Sequence, residues 1–228
     1  MTKVLILTEW YLPGYKAGGP IRSVANLIAH LKDEISFSVI TNDTDYCEST
    51  PYPDVVSDKW IEADDNSKIY YLSKPKRKIN TILNFLYREP YDCIYLNSLF
   101  SPFFTIIPLL FFKKYPKAKI ILAPRGMLSE GSLDIKRTKK LVFLYLAKHL
   151  GLFRNVTFQA ASDQESKDIK NHFGEKVNMI FAPNLPEKKI YSGSLPILKE
   201  SNALKLVSIA RIAPEKNLKY ALDVLRNV

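Results

Sequence analysis

The chain has 228 residues, 46% of them hydrophobic, 25% charged and 12% aromatic, which is the make-up of a globular protein with a buried core and excludes a disordered or low-complexity chain. Lysine and arginine number 33 against 23 aspartates and glutamates, a formal charge of +10. That excess favours anionic partners without choosing among nucleic acid, an acidic membrane and phosphorylated small molecules. Cys47 and Cys93 supply no disulfide framework, and His30, His149 and His172 share no ligand motif, so a reducing cytoplasm and no metal are expected.

The opening MTKVLILTEW lacks the long apolar segment and small-residue cleavage site of a signal peptide. Within it, KVLILT (3–8) is an apolar run of strand length. Pro20 then opens a helical pattern with Val24, Leu27, Ile28 and Leu31 at spacings of three and four. ISFSVIT (35–41) is the second expected strand, residues 42–66 are polar and turn-rich, and KIYYLS (68–73) is the third strand. An amphipathic helix follows over Ile79 to Tyr87, then strand DCIYLN (92–97). The apolar run LFSPFFTIIPLLFF (99–112) is 14 residues long with two prolines. A membrane span needs about 20 residues, so this run reads as a buried helix. KIILAP (119–124) is a strand, 133–150 a basic amphipathic helix, VTFQAA (156–161) a strand, and Ser162 caps a helix through His172. VNMIFA (177–182) completes the series.

Apolar strands alternating with helices imply a parallel sheet covered on both faces. The fold class expected is α/β, a Rossmann-like doubly wound parallel sheet over residues 1–185, with ligands at the carboxyl ends of the strands. Residues 186–203, with Pro186, Gly193 and Pro196, read as a linker. Residues 204–228 read as the first strand and helix of an incomplete second Rossmann domain.

Three stretches carry chemistry. In EWYLPGYKAGGPIRSV (9–24), Gly18 and Gly19 stand where the first loop turns into a helix, with Pro20 suited to its first position. A backbone without side chains at a helix amino end is a place for phosphate. The spacing matches neither G-x-G-x-x-G nor a P-loop. In ILAPRGML (121–128), Arg125 and Gly126 follow a strand, where a guanidinium meets a phosphate, a polar acceptor or a carboxylate that holds the loop. In SIARIAPEKNLKYALDVL (208–225), Arg211 follows a buried strand and Lys216 begins a helix, an arrangement suited to neutralising a departing diphosphate. Asn42 and Asp43 read as a turn after the second strand.

These motifs in this order resemble a family 4 glycosyltransferase of the GT-B fold: Gly18-Gly19-Pro20, NSLFSP (97–102), APRGML (123–128), AASDQE (160–165) and ARIAPEKN (210–217). The APRGML form is similar to the branch that builds capsule, O-antigen or exopolysaccharide. The resemblance implies a retaining, metal-independent hexosyltransferase with no cofactor, moving a hexose from a nucleotide sugar to a glycan or polyprenyl-linked glycan. By the same resemblance Gly18, Gly19, Arg211 and Lys216 hold the donor diphosphate, and Arg211 and Lys216 are the catalytic pair. Asn97, Arg125 and Gly126 lie on the acceptor side, Arg125 standing where many relatives carry histidine. The family's E-x7-E pair has no counterpart; Glu215 and Asp223 come closest. The 228 residues therefore read as the acceptor-side half, expected to bind donor weakly and transfer no sugar alone. A non-catalytic binding module that docks an anionic glycolipid or a partner chain supplying the donor domain is the second reading. An anionic membrane surface on the inner face of the plasma membrane is a further expected partner, and nucleic acid, for which no motif is found, is not.

Overall fold

In the computed structural model, residues 1–64, 66–112, 118–188, 206–208 and 217–226 are described. Two compact units divide the chain, Met1–Glu187 and Lys188–Val228. The second contributes one described helix, Leu218–Arg226; most of the strand expected at 204–210 lies outside the described residues.

The first unit is built on a sheet of eight strands: β1 (Thr2–Leu7), β2 (Ile35–Asn42), β3 (Trp60–Asp64), β4 (Ser67–Leu72), β5 (Cys93–Leu96), β6 (Lys119–Leu122), β7 (Val156–Ala160) and β8 (Met179–Phe181). Their order is β3-β4-β2-β1-β5-β6-β7-β8. All neighbours pair parallel except β3, which lies antiparallel along β4 at the edge. The chain builds outward from β1 through β2 and β4, then crosses back to place β5 on the other side of β1. That reversal opens a crevice at the carboxyl ends of β1 and β5, where ligands of doubly wound sheets bind.

Among the described residues, six α-helices accompany these strands, α1 (Gly19–Leu31), α2 (Ile79–Arg88), α3 (Ile107–Phe112), α4 (Glu130–Asp134), α5 (Arg137–His149) and α6 (Asp163–Phe173), and the second unit has α7 (Leu218–Arg226). Leu5, Ile6 and Leu7 are entirely buried because β1 is central and covered on both faces. One face packs Leu5 and Leu7 with Ile82, Leu109, Leu144 and Ile169, one from each of α2, α3, α5 and α6. The other packs Ile6, Val39, Tyr95 and Ala123 beneath Val24 and Ile28 of α1. Each fully buried aliphatic side chain contributes about 2 kcal/mol by removal from water.

The apolar run at 99–112 is the buried helix expected, opening with a π-helical turn, Pro102–Ile106, that runs into α3, with Phe103, Phe104, Leu109 and Phe112 buried. Ser101 caps it by accepting a hydrogen bond from Phe104 N–H at 3.2 Å. The helix expected over 133–150 is two helices, because Lys136 takes the left-handed conformation at φ 60° and breaks the run. No helix among the described residues is long and apolar enough to cross a membrane.

Candidate functional site at the carboxyl edge

Side chains two apart on a strand share a face, and the register aligns these pairs across the sheet. Ile6 lies beside Tyr95, Tyr95 beside Ile121, and Ile121 beside Thr157. Carried to the carboxyl edge, the same parity gives Thr8, Asn97, Arg125 and Gln159, on the face that α1 covers. The strands thus deliver polar groups from four different chain segments to one rim.

Hydrogen bonds join them. Asn97, buried, donates from Nδ2 to Thr8 Oγ1 at 3.2 Å and to the Pro20 carbonyl at 3.3 Å. Its Oδ1 accepts from Arg125 Nε at 2.7 Å. Arg125 Nη2 donates to the Tyr95 hydroxyl at 2.6 Å, and Nη1 to Asn184 Oδ1. The Tyr95 hydroxyl in turn donates to Gln159 Oε1 at 2.5 Å, and Gln159 Nε2 donates to the Ala182 carbonyl at 2.8 Å. Burial pushes the Tyr95 phenol up, with the nearby guanidinium pulling the other way, so it keeps the proton it gives to Gln159. No carboxylate pairs with Arg125 among the described residues, so the salt bridge that would have fixed this loop is replaced by neutral acceptors.

The loop that carries Arg125 is unusual in its backbone. Arg125 has φ 57° and Gly126 φ 73°, both left-handed. For a residue with a side chain that conformation costs about 1–2 kcal/mol. Glu165 holds the loop in place: its carboxylate, buried, accepts from Gly126 N–H at 2.6 Å and from Ala161 N–H at 2.8 Å. Ser162 Oγ accepts from Glu165 N–H at 3.1 Å and so starts α6 as expected from the sequence.

Gly18 enters α1 at φ 71°, a conformation glycine adopts without strain, and no side chain caps the helix. Its first turn holds no acid. A side chain at Gly18, Gly19 or Gly126 would meet nothing within 4 Å. The loop before it is held from the β2 side by Asp45, which accepts from Tyr15 N–H at 2.9 Å, Lys16 N–H at 3.2 Å and Tyr46 N–H at 2.7 Å. Burial works against its charge, yet the three backbone bonds hold the Asp45 carboxyl below the usual range. Asp43 accepts from Ser57 Oγ at 2.8 Å, a turn role.

Of the residues expected at a site, Gly18, Gly19, Asn97, Arg125 and Gly126 stand at this edge, and Asn97 bonds both α1 and Arg125. Arg211 and Lys216 lie outside the described residues. Sequence reasoning did not single out Thr8, Tyr95, Gln159 and Asn184, nor Glu9. Half-buried Glu9 follows Thr8; burial pushes its carboxyl up, against the Ser101 hydroxyl and the Arg77 charge. The signal available for Tyr95 and Gln159 was a polar group at the parity of Asn97 within otherwise apolar strands.

The first unit is therefore a Rossmann-like α/β domain with a hydrogen-bonded polar network around Arg125 at its topological switch point. No protein-family model matches the sequence, and no curated protein matches it. Among solved structures, a dTDP-glucose 4,6-dehydratase from Bacillus anthracis str. Ames, in complex with NAD, is similar over 70% of this chain and 54% of its own. The identity is 12% and the TM-score 0.41, and this chain spans about half the length of that one.

Proposed function

We propose that residues 1–185 are the acceptor-side domain of a GT-B glycosyltransferase that uses a nucleotide-diphosphate sugar, and that residues 204–228 begin its donor domain. The observation that carries this reading is the hydrogen-bonded line from the α1 entry through Asn97 to Arg125 at the β1–β5 crevice. It links three of the motif positions on which the resemblance rests. The reaction is transfer of a hexose to a hydroxyl of a glycan or lipid-linked glycan in surface polysaccharide synthesis. The Gly18–Gly19 turn, whose Gly18 N–H donates to the Tyr15 carbonyl at 2.9 Å, presents the Gly19 N–H and the α1 amino end to the donor diphosphate, and Arg211 and Lys216 neutralise it as it leaves.

Titration of the 228-residue chain with nucleotide sugars and polyprenyl-diphosphate glycans tests the acceptor half. Saturable glycan binding, weakened tenfold or more by Asn97→Ala, is expected; that is about 1.4 kcal/mol. Absence of binding by every glycan in the panel overturns the reading. In a chain carrying a full donor domain, Arg211→Ala and Lys216→Ala should each lower turnover tenfold or more. Wild-type rates in both would remove them from the chemistry.

The reading also places the domain on an anionic bilayer. On α5 only Leu144 and Ala147 are buried, while Leu141, Val142, Tyr145 and Leu146 are exposed among Lys139, Lys148 and Arg137. An apolar stripe rimmed with lysine suits the headgroup boundary. Binding to anionic vesicles that falls with salt is expected, and equal binding to neutral vesicles overturns it.

A further inference from the structure

We infer that the acceptor carries an oxyanion, a phosphate or a carboxylate, and that Arg125 is the residue that grips it; this rests on the glycosyltransferase reading for the word acceptor. A guanidinium has five N–H groups. Asn97, Tyr95 and Asn184 take three, which leaves two, one on each terminal nitrogen. All three partners are neutral oxygens, so the side chain is oriented without being neutralised. The orientation of two partners is itself fixed. Tyr95 spends its proton on Gln159, and Asn97 spends its amide hydrogens on Thr8 and Pro20, so each offers only lone pairs to Arg125.

A half-buried cation with no counter-ion among the described residues is costly as a loop tie, and a neutral side chain or a glycine would serve the same backbone more cheaply. Glu165, the carboxylate close at hand, is committed to the Gly126 and Ala161 N–H groups instead. Anchoring of the loop and provision of charge are thus separate tasks done by separate residues. The uncapped, acid-free start of α1 is tied to the same guanidinium through Asn97 and adds to the positive potential. Charge-assisted bonds from a guanidinium to phosphate or carboxylate are the natural complement.

The test uses the 228-residue chain at constant ionic strength, following backbone amide resonances by NMR in wild type and variants, with the Arg125 Nε–H resonance as a second reporter in wild type. Inorganic diphosphate stands for a lipid carrier's diphosphate, glucuronate for an acidic sugar, and glucose is the neutral control. Saturable shifts with an oxyanion and none with glucose are expected, weakened at least tenfold in Arg125→Gln and partly kept in Arg125→Lys. Tighter diphosphate points to the lipid carrier, and tighter glucuronate to an acidic glycan. No saturable shift with either anion, or equal affinity in a folded Arg125→Gln, overturns the inference. Should that variant unfold, the wild-type resonance decides by itself. Anion binding without any glycan binding would spare the oxyanion site and sink the glycosyltransferase reading. Glycan binding indifferent to Arg125→Gln would do the reverse.

Discussion

On the β2–β4 flank of the sheet, aspartates hold the carboxyl-edge loops; on the β5–β8 flank, neutral amides and a phenol hold an arginine. Asp43 takes the Ser57 hydroxyl, Asp45 three backbone N–H groups, and Asp58 the Ser73 N–H at 3.1 Å and hydroxyl at 2.7 Å. These acids spend their charge on the chain's own donors, and in that sense their loops are closed, although Arg77 on the same flank is held by the neutral Asn42 amide. Arg125 receives hydrogen bonds' direction from its partners but no opposing charge. A closed flank positions; an open one is left with something to bind. Glu165 belongs in kind to the first group although it sits in the second, and it is what lets Arg125 stay free.

Glu165→Ala should therefore produce the largest loss of stability. Two charge-assisted bonds to buried backbone N–H groups disappear, about 3 kcal/mol or more. For a domain of this size that lowers Tm by roughly 6–12 °C. Calorimetry giving a change under 2 °C would break the distinction between anchor and binder.

On the closed flank, Gly14→Ala comes next. A methyl group there would lie 2.9 Å from the Tyr11 carbonyl oxygen and collide with the buried Tyr52 phenol. The expected cost is about 1–3 kcal/mol, read from denaturant midpoints. Asp45→Asn follows at about 1–2 kcal/mol, because the amide accepts fewer and weaker bonds. An Asp45→Asn chain as stable as wild type at pH 7 would show that the anchoring needs no charge.

Most of the sheet was legible because strands buried on both faces are runs of apolar residues: β5, β6, β7 and β8 fall within segments read from sequence, and β1, β2 and β4 overrun theirs by one residue each. Strand β3 was not, since Trp60–Asp64 alternates with acids inside a turn-rich stretch and pairs only along one edge. The break at Lys136 left no glycine or proline to announce it. At the site, Gly18, Gly19, Asn97, Arg125 and Gly126 could be found because each follows a strand end. Tyr95, Gln159 and Asn184 could not, because their bond to the same guanidinium network depends on the register of β5, β6 and β7 and on the chain beyond β8.

The smallest effect is a reversal of sign between two acids on either side of the α1 loop. Asp45 has a carboxyl held low, so its stabilisation is present above its ordinary value of 3.8 and is lost as pH falls through the depressed one. Glu9 is raised, chiefly by burial, so the folded chain binds its proton more tightly than the unfolded chain does. Its contribution is fully present below 4.5, its ordinary value, and is lost as pH rises through the raised one. Glu9→Gln removes the buried charge at neutral pH while keeping the side chain's shape. The variant should gain a small amount of stability at pH 7 and none at pH 4, whereas Asp45→Asn should lose more at pH 7 than at pH 3. Urea melts of both variants across that range would decide it. If Glu9→Gln were less stable than wild type at pH 7, the ionised carboxylate would have a partner worth more than its burial costs. Glu9 would then join the aspartates as an anchor of the closed flank.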